Sequence, residues 1–134
     1  MPPTADRPDV SGITALVVED HVDSARLLVA ALEPFGVRVV TSHSVEDARQ
    51  IMSTITPDIV ICDLHLPGES GIDFIRWLRS RPREHGGQIP AIAVTSFYER
   101  FGVRETRAAG FDMFVRKPLD PMEIVHAVEV LTRG

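Results

Sequence analysis

Four short apolar runs in this chain each lead into residues able to do chemistry. "LVV" (16–18) is followed by Glu19 and Asp20, "IVIC" (59–62) by Asp63, "AIAV" (91–94) by Thr95 and Ser96, and "MFVR" (113–116) by Lys117. Lys117 is the only lysine; every other basic side chain apart from histidine is arginine. Three carboxylates brought together are costly, because two like charges ~4 Å apart repel by about 4 kcal/mol at an effective dielectric of 20. A divalent cation relieves that repulsion. Magnesium suits it: it takes oxygen ligands, needs few carboxylates, retains waters and leaves room for a phosphate oxygen. A nearby ammonium and hydroxyl could hold the remaining oxygens of such a phosphate.

Singly, each residue has a plainer reading. An acid after a strand is often a solvated turn residue, a strand-end hydroxyl bonds backbone, and a lone lysine is a surface charge. The conjunction carries the argument, because chance would scatter these types over both ends of a sheet.

Whether they converge depends on the elements that carry them. Five apolar runs recur: "TALVV" (14–18), "VRVV" (37–40), "DIVIC" (58–62), "AIAV" (91–94) and "MFV" (113–115). Most lack polar alternation, which fits strands buried on both faces of a parallel sheet. Between them lie helical patterns. Residues 24–35 are rich in helix formers and stop at Gly36. Ser44 with Asp47 resembles a capping box, followed by Ala48, Ile51, Met52 and Ile55 at the spacing of one helix face. Residues 72–80 read as a third helix and 99–109 as a fourth, ended by Gly110. Asp120 caps the last, with Pro121 at its first position and Ile124, Val125, Val128 and Leu131 as its stripe. Residues 80–90 form a long polar connection.

The order is β-α five times over. Right-handed crossovers place helices on both faces of a parallel sheet. The expected fold is α/β, flavodoxin-like (βα)5, strand order 2-1-3-4-5, in which strands one and three meet at the switch point. Ligands then bind beyond the carboxyl ends of the strands, where the polar residues fall.

Composition bounds the rest. With 134 residues the chain builds one domain. A net charge of -5 argues against a direct nucleic-acid surface. No apolar run is long enough to span a bilayer. The Pro-rich, polar start predicts a flexible N-terminal arm over 1–12, and the domain proper over 13–134. The single cysteine, Cys62, excludes an internal disulfide, and its side chain is expected in the core, pointing away from Asp63. Without an export signal the expected location is the cytoplasm. Arg100, Arg104 and Arg107 share one face of the fourth helix.

The motifs "LVVEDH", "IVICDLHLPGESGIDFIRWLR", "AIAVTS" and "AAGFDMFVRKPLDP" together resemble a response-regulator receiver domain of two-component signalling, of the single-domain chemotaxis-regulator kind. The resemblance runs from about Thr14 to Leu131. It implies that Asp63 is the phosphoacceptor, attacking the phosphohistidine of a sensor histidine kinase or histidine phosphotransfer protein. It implies a magnesium site made by Asp20, Asp63 and the backbone carbonyl of His65, with Glu19 nearby and acting through water. Thr95 and Lys117 are then the catalytic pair that contacts the phosphoryl group. Thr95 and Phe114 form a switch; phenylalanine has no hydroxyl, so switching there is steric. His65 and Phe97 sit where side chains tune dephosphorylation. Pro118 is a candidate cis peptide that aims Lys117 inward. A downstream effector or homodimer mate is expected on the face of the fourth helix, fifth strand and fifth helix. Such a domain promotes its own phosphorylation and dephosphorylation and is not a turnover enzyme on an external substrate.

The chain ends at Gly134, just after the fifth helix, so the expectation is a stand-alone regulator. The alternative is a receiver excised from a hybrid histidine kinase or larger response regulator. An aspartyl-nucleophile magnesium phosphatase fits less well, because His65 stands where such enzymes carry a second Asp and no cap domain is present. A flavin-binding flavodoxin would want a hydroxyl- and glycine-rich phosphate loop after strand one, where "EDHVDS" is acidic. A receiver-like domain that works without phosphorylation is opposed by the intact Asp63, Thr95 and Lys117 set.

Overall fold

The computed structural model describes residues 7–96 and 102–133. Five strands form one parallel sheet: β1 (Thr14–Val18), β2 (Arg38–Ser42), β3 (Ile59–Asp63), β4 (Ala91–Thr95) and β5 (Met113–Arg116). Their order is β2-β1-β3-β4-β5, the flavodoxin-like order. Five helices alternate with them: α1 (Val22–Leu32), α2 (Val45–Ile51), α3 (Gly71–Arg79), α4 (Val103–Ala109) and α5 (Pro121–Arg133).

The strands alternate their side chains between two apolar layers. Ala15, Val17, Ile59, Ile61, Ile92, Val94 and Val115 face Leu28 and Leu32 of α1 and Ile124, Val125 and Val128 of α5. Leu16, Val18, Val60, Cys62, Ala91 and Ala93 face Val45 and Ala48 of α2 and Ile72, Phe74, Ile75 and Leu78 of α3. Each large side chain buried this way contributes roughly 1.5–3 kcal/mol. Cys62 therefore lies in the core as expected, and burial, followed by the charges of Asp63 and Glu19, pushes its thiol well above the ordinary range.

Several element boundaries differ from the sequence reading. The helix expected over 24–35 starts earlier, at Val22, and its end tightens into a 3₁₀ turn over Glu33–Phe35. Pro34 has no N–H to continue the ladder, and Gly36 closes the turn at φ 87°. Strand β2 runs past its apolar run through Thr41 and Ser42, because its register with β1 holds from Thr14↔Arg38 to Val18↔Ser42. At α2 only half of the expected capping box forms. Ser44 Oγ accepts from Asp47 N–H at 3.0 Å, while the Asp47 carboxylate accepts from His43 N–H at 3.4 Å. Ile55 falls beyond the helix. The complete box is at α3, where Ser70 and Asp73 cap one another. The polar connection 80–90 contains a 3₁₀ turn, Arg83–His85. Of the helix expected over 99–109, α4 accounts for Val103–Ala109, while Phe97 and Arg100 lie outside the described residues.

The expected arm over 1–12 needs a correction at its inner end. Val10 is fully buried and belongs to the α1/α5 core layer. Asp9 N–H donates to Glu129 of α5 at 2.6 Å, and Gly12 N–H donates to the Gly36 carbonyl at 3.0 Å. Composition hid this, because one buried valine among prolines and acids leaves no periodicity to read.

Candidate functional site

Register brings the polar residues together. β1 and β3 are neighbours, with Val18 opposite Cys62, so Glu19 and Asp20 emerge beside Asp63, the last residue of β3. Asp63 lies opposite Val94, one residue before Thr95, and Thr95 lies opposite Arg116, one residue before Lys117. Glu19 N–H donates to Ser42 O at 2.9 Å, which carries the β1–β2 ladder one step past the strand. Lys117 N–H donates to Thr95 O at 3.0 Å and fixes the root of the lysine against β4. The Lys117–Pro118 peptide is cis.

Four bonds order the carboxylates. Lys117 Nζ donates to Glu19 Oε1 at 2.7 Å and to Asp63 Oδ2 at 3.1 Å. Asp63 Oδ1 accepts from His65 N–H at 2.9 Å, and Glu19 Oε2 accepts from His21 N–H at 3.1 Å. Glu19 is 1% exposed and Asp63 7%, whereas Asp20 is exposed. Burial pushes the Glu19 carboxyl up from its ordinary value, opposed by the Lys117 bond and reinforced by the Asp63 charge. Burial pulls the Lys117 ammonium down, but the bond to Glu19 and the charges of Asp63 and Glu19 outweigh it, and the net shift is upward. Lys117 thus stays charged.

Carboxylate oxygens of Glu19, Asp20 and Asp63 lie within 4.8 Å of one another. This donor set is entirely carboxylate, which fits a hard divalent cation such as magnesium better than a thiolate- or imidazole-seeking metal. A cleft of about 400 Å³ opens over the cluster, lined by Asp20, His21, Ser24, Asp63, His65, Ser96 and Lys117. Glu19 is therefore the buried end of the site and Asp20 the exposed end, with Asp63 and Lys117 between them on the cleft wall.

Thr95 is buried at the end of β4 on the same sheet face as Ala91 and Ala93. Ala93 pairs with Phe114, which is half-buried against that layer. Phe97 lies outside the described residues.

Some contributors escaped the sequence reading. His21 and Ser24 line the cleft. Adjacency to Glu19–Asp20 could have flagged His21; Ser24 carried no signal. Gly71, the first residue of α3, is required by close approach: a Cβ there would meet the Asp63 carbonyl oxygen at 2.4 Å. The "SG" opening a helix was the available hint. The Lys117–Glu19 bond was also not anticipated.

A buried aspartate at the β1/β3 switch point, with two further acids and the lysine that follows β5, makes an acidic cluster at the carboxyl edge of a parallel α/β sheet. The comparisons agree in class. The model of the response regulator receiver domain matches residues 15–129, and the chain belongs to that family. The phosphate regulon transcriptional regulatory protein PhoB of Pseudomonas aeruginosa is 29% identical over 122 residues, which cover 91% of this chain and 52% of PhoB. The crystal structure of a putative response regulator from Chloroflexus aurantiacus has TM-score 0.84 at 28% identity and covers 91% of this chain and 98% of its own. The receiver domain of the sensor histidine kinase PA1611 from P. aeruginosa, solved with a magnesium ion coordinated in its active-site cleft, has the same fold. Its TM-score is 0.82 at 23% identity, over 92% of this chain and all of its own.

Proposed function

We propose that this receiver accepts a phosphoryl group on Asp63 from the phosphohistidine of a sensor histidine kinase or histidine phosphotransfer protein. The observation that carries the reading is the environment of Asp63. One carboxylate oxygen is fixed by the His65 N–H and the other by the Lys117 ammonium, and the group faces an open cleft. In the transfer an Asp63 oxygen forms a bond to phosphorus while the P–N bond breaks, and the departing imidazole keeps the electron pair. Lys117 meets the charge on the phosphoryl oxygens, and Thr95 donates to one of them. Asp20, Asp63 and the His65 carbonyl, with Glu19 close by, would hold a magnesium ion, which would supply charge neutralisation for the phosphoryl oxygens. His65 and Phe97 tune access of the hydrolytic water.

The output face is α4-β5-α5. Phosphoryl contact draws Thr95 inward, and Phe114, across from Ala93 on the same sheet face, turns into the space behind it. A shift from 1:99 to 99:1 needs about 5.5 kcal/mol of differential stabilisation. A few bonds to charged groups at roughly 1.5–3 kcal/mol each supply that. Arg104 and Arg107, both exposed on α4, belong to the surface offered to an effector or homodimer mate. No helix among the described residues is long and apolar enough to cross a membrane. A cytoplasmic location goes with the proposed exchange with a histidine kinase or phosphotransfer protein.

Incubation with acetyl phosphate tests the reading. Intact mass should rise by one phosphoryl group with magnesium, and the gain should vanish with chelator or with Asp63→Asn. A full gain in Asp63→Asn overturns it. For the face, beryllofluoride should shift the amide resonances of Phe114 and α4; changes confined to the loops around Asp63 would contradict the switch.

A further inference from the structure

Away from the acidic cluster, a bidentate ion pair joins two elements that the strand ladder does not join. Arg49 of α2 donates through both terminal nitrogens to Glu69, at 2.6 Å and 2.8 Å. Glu69 belongs to the connection 64–70 between β3 and α3, which leaves directly from Asp63. The guanidinium is seated as well as paired. It lies over the Trp77 ring at 5.6 Å, within reach of a cation–π contact, and Trp77 stacks on the fully buried Phe74 at 5.7 Å. Arg81 lies over the same ring at 4.6 Å. A path of contacts thus runs from the α2/α3 core layer out to Glu69. A cleft of about 260 Å³ opens between Ser44, Val45 and Glu46 at the start of α2 and Pro67, Gly68 and Glu69 on the connection.

The same connection carries His65, whose N–H holds Asp63 Oδ1 at 2.9 Å and whose carbonyl belongs to the proposed cation site. Its far end is fixed too: Ser70 caps α3, and Gly71 N–H donates to Leu64 O at 3.1 Å. Between these points Gly68 turns the chain at φ 78°. We propose that Arg49 is a positioning residue for this connection, clamping it through Glu69 so that His65 presents its N–H to Asp63 and its carbonyl to the cleft before a cation arrives. The inference rests on Asp63 being the phosphoacceptor with a cation beside it. Arg49 and Glu69 are 30% and 47% exposed, and exposed ion pairs add little to global stability. A fork made at two points, however, fixes direction as well as distance. Direction is what a backbone ligand needs, because magnesium demands near-ideal octahedral geometry.

Two measurements on the full chain test this, and the first needs no metal. In magnesium-free protein the His65 amide should exchange about tenfold faster in Arg49→Gln and in Glu69→Gln than in wild type, while the amides of β1 and β4 keep their protection. The second is calorimetric titration with magnesium chloride in the absence of a phosphodonor. Each single variant should bind the cation about fivefold more weakly, and the double variant no more weakly than the singles. A pair with a merely local role would move neither reading. Wild-type exchange at His65 in both single variants overturns the proposal. So does unchanged magnesium affinity in both, or losses that add in the double variant. A wild-type chain that binds no magnesium, or takes up no phosphoryl group from acetyl phosphate, would refute the reading of Asp63 instead, and the exchange measurement then decides the clamp on its own.

Discussion

Two cations are sunk into opposite edges of the sheet, and they are held in opposite ways. At the amino-terminal edge of β4 and β5, Arg79 of α3 donates from Nε to Gly110 O at 2.9 Å. One terminal nitrogen reaches Gly87 O at 3.0 Å and Ile89 O at 2.6 Å, and the other reaches Asp112 at 3.1 Å. At the carboxyl edge the Lys117 ammonium bonds two carboxylates. Three of the arginine's acceptors are backbone, which cannot leave, and its carboxylate is also held by Ala91 N–H at 2.9 Å. The fork ties the α3–β4 and α4–β5 connections into one fixed geometry. The lysine's partners are both ionisable, and in the proposed reaction one of them changes chemically. The same kind of charge therefore serves as a rivet at one end and as a transferable contact at the other. This accounts for the use of lysine once in a chain that otherwise writes positive charge as arginine.

The comparison can be broken at either end, and the largest effect belongs to the rivet. Arg79→Ala should lower the unfolding free energy by about 3 kcal/mol, because it strands the carbonyls of the buried Gly87 and Ile89 and frees that of Gly110. Phosphorylation of the folded fraction should stay within about twofold of wild type, since nothing at Arg79 touches the site. Urea titration and intact mass check both halves, and a loss below about 1 kcal/mol would remove the structural role. Next comes the junction between α3 and the site. Gly71→Ala puts a Cβ against the Asp63 carbonyl at 2.4 Å, and the backbone shift should cost about 2 kcal/mol and slow phosphorylation as well. A variant as stable and as fast as wild type would show that the contact relaxes freely.

Lys117→Arg is a smaller perturbation of stability and a sharper one of function. Charge is conserved, so stability should stay within about 1 kcal/mol, while the longer planar group should slow phosphorylation about tenfold and weaken the response of Phe114. Equal rates and an equal response would refute the point-charge argument. The smallest effect is on pH. The folded-state pKa of Glu19 is raised above 4.5, so between that raised value and 4.5 the folded chain binds more protons than the unfolded one. This contribution makes the fold more stable as pH falls from neutral into that window. In metal-free buffer the urea midpoint of wild type relative to Glu19→Gln should therefore rise on acidification; a constant difference would contradict the assignment.

Much of this was legible before any coordinates. Uninterrupted β-branched runs mark strands buried on both faces, so the sheet and its order followed from pattern and handedness, and the polar residues after each run converge as expected. What could not be read depends on reach and on single contacts. Strand order puts Lys117 near both acids, but only side-chain geometry shows that Glu19 lies nearer. Gly71 is forced by one carbonyl oxygen, and Val10 docks as an isolated residue in a polar stretch. Pro34 was visible, yet helix-forming neighbours outweighed it in the pattern, and the helix tightens there all the same.

The central claim is chemical, and one measurement addresses it at the atom. An acyl phosphate is reduced by borohydride to an alcohol, which converts a phosphorylated aspartate to homoserine. After incubation with acetyl phosphate and magnesium, followed by borohydride and proteolysis, the peptide spanning "IVICDLHLP" should carry homoserine in place of Asp63 and nowhere else. Homoserine at Asp20 or at another acid, or an unmodified Asp63 in protein that had gained phosphoryl mass, would contradict the account.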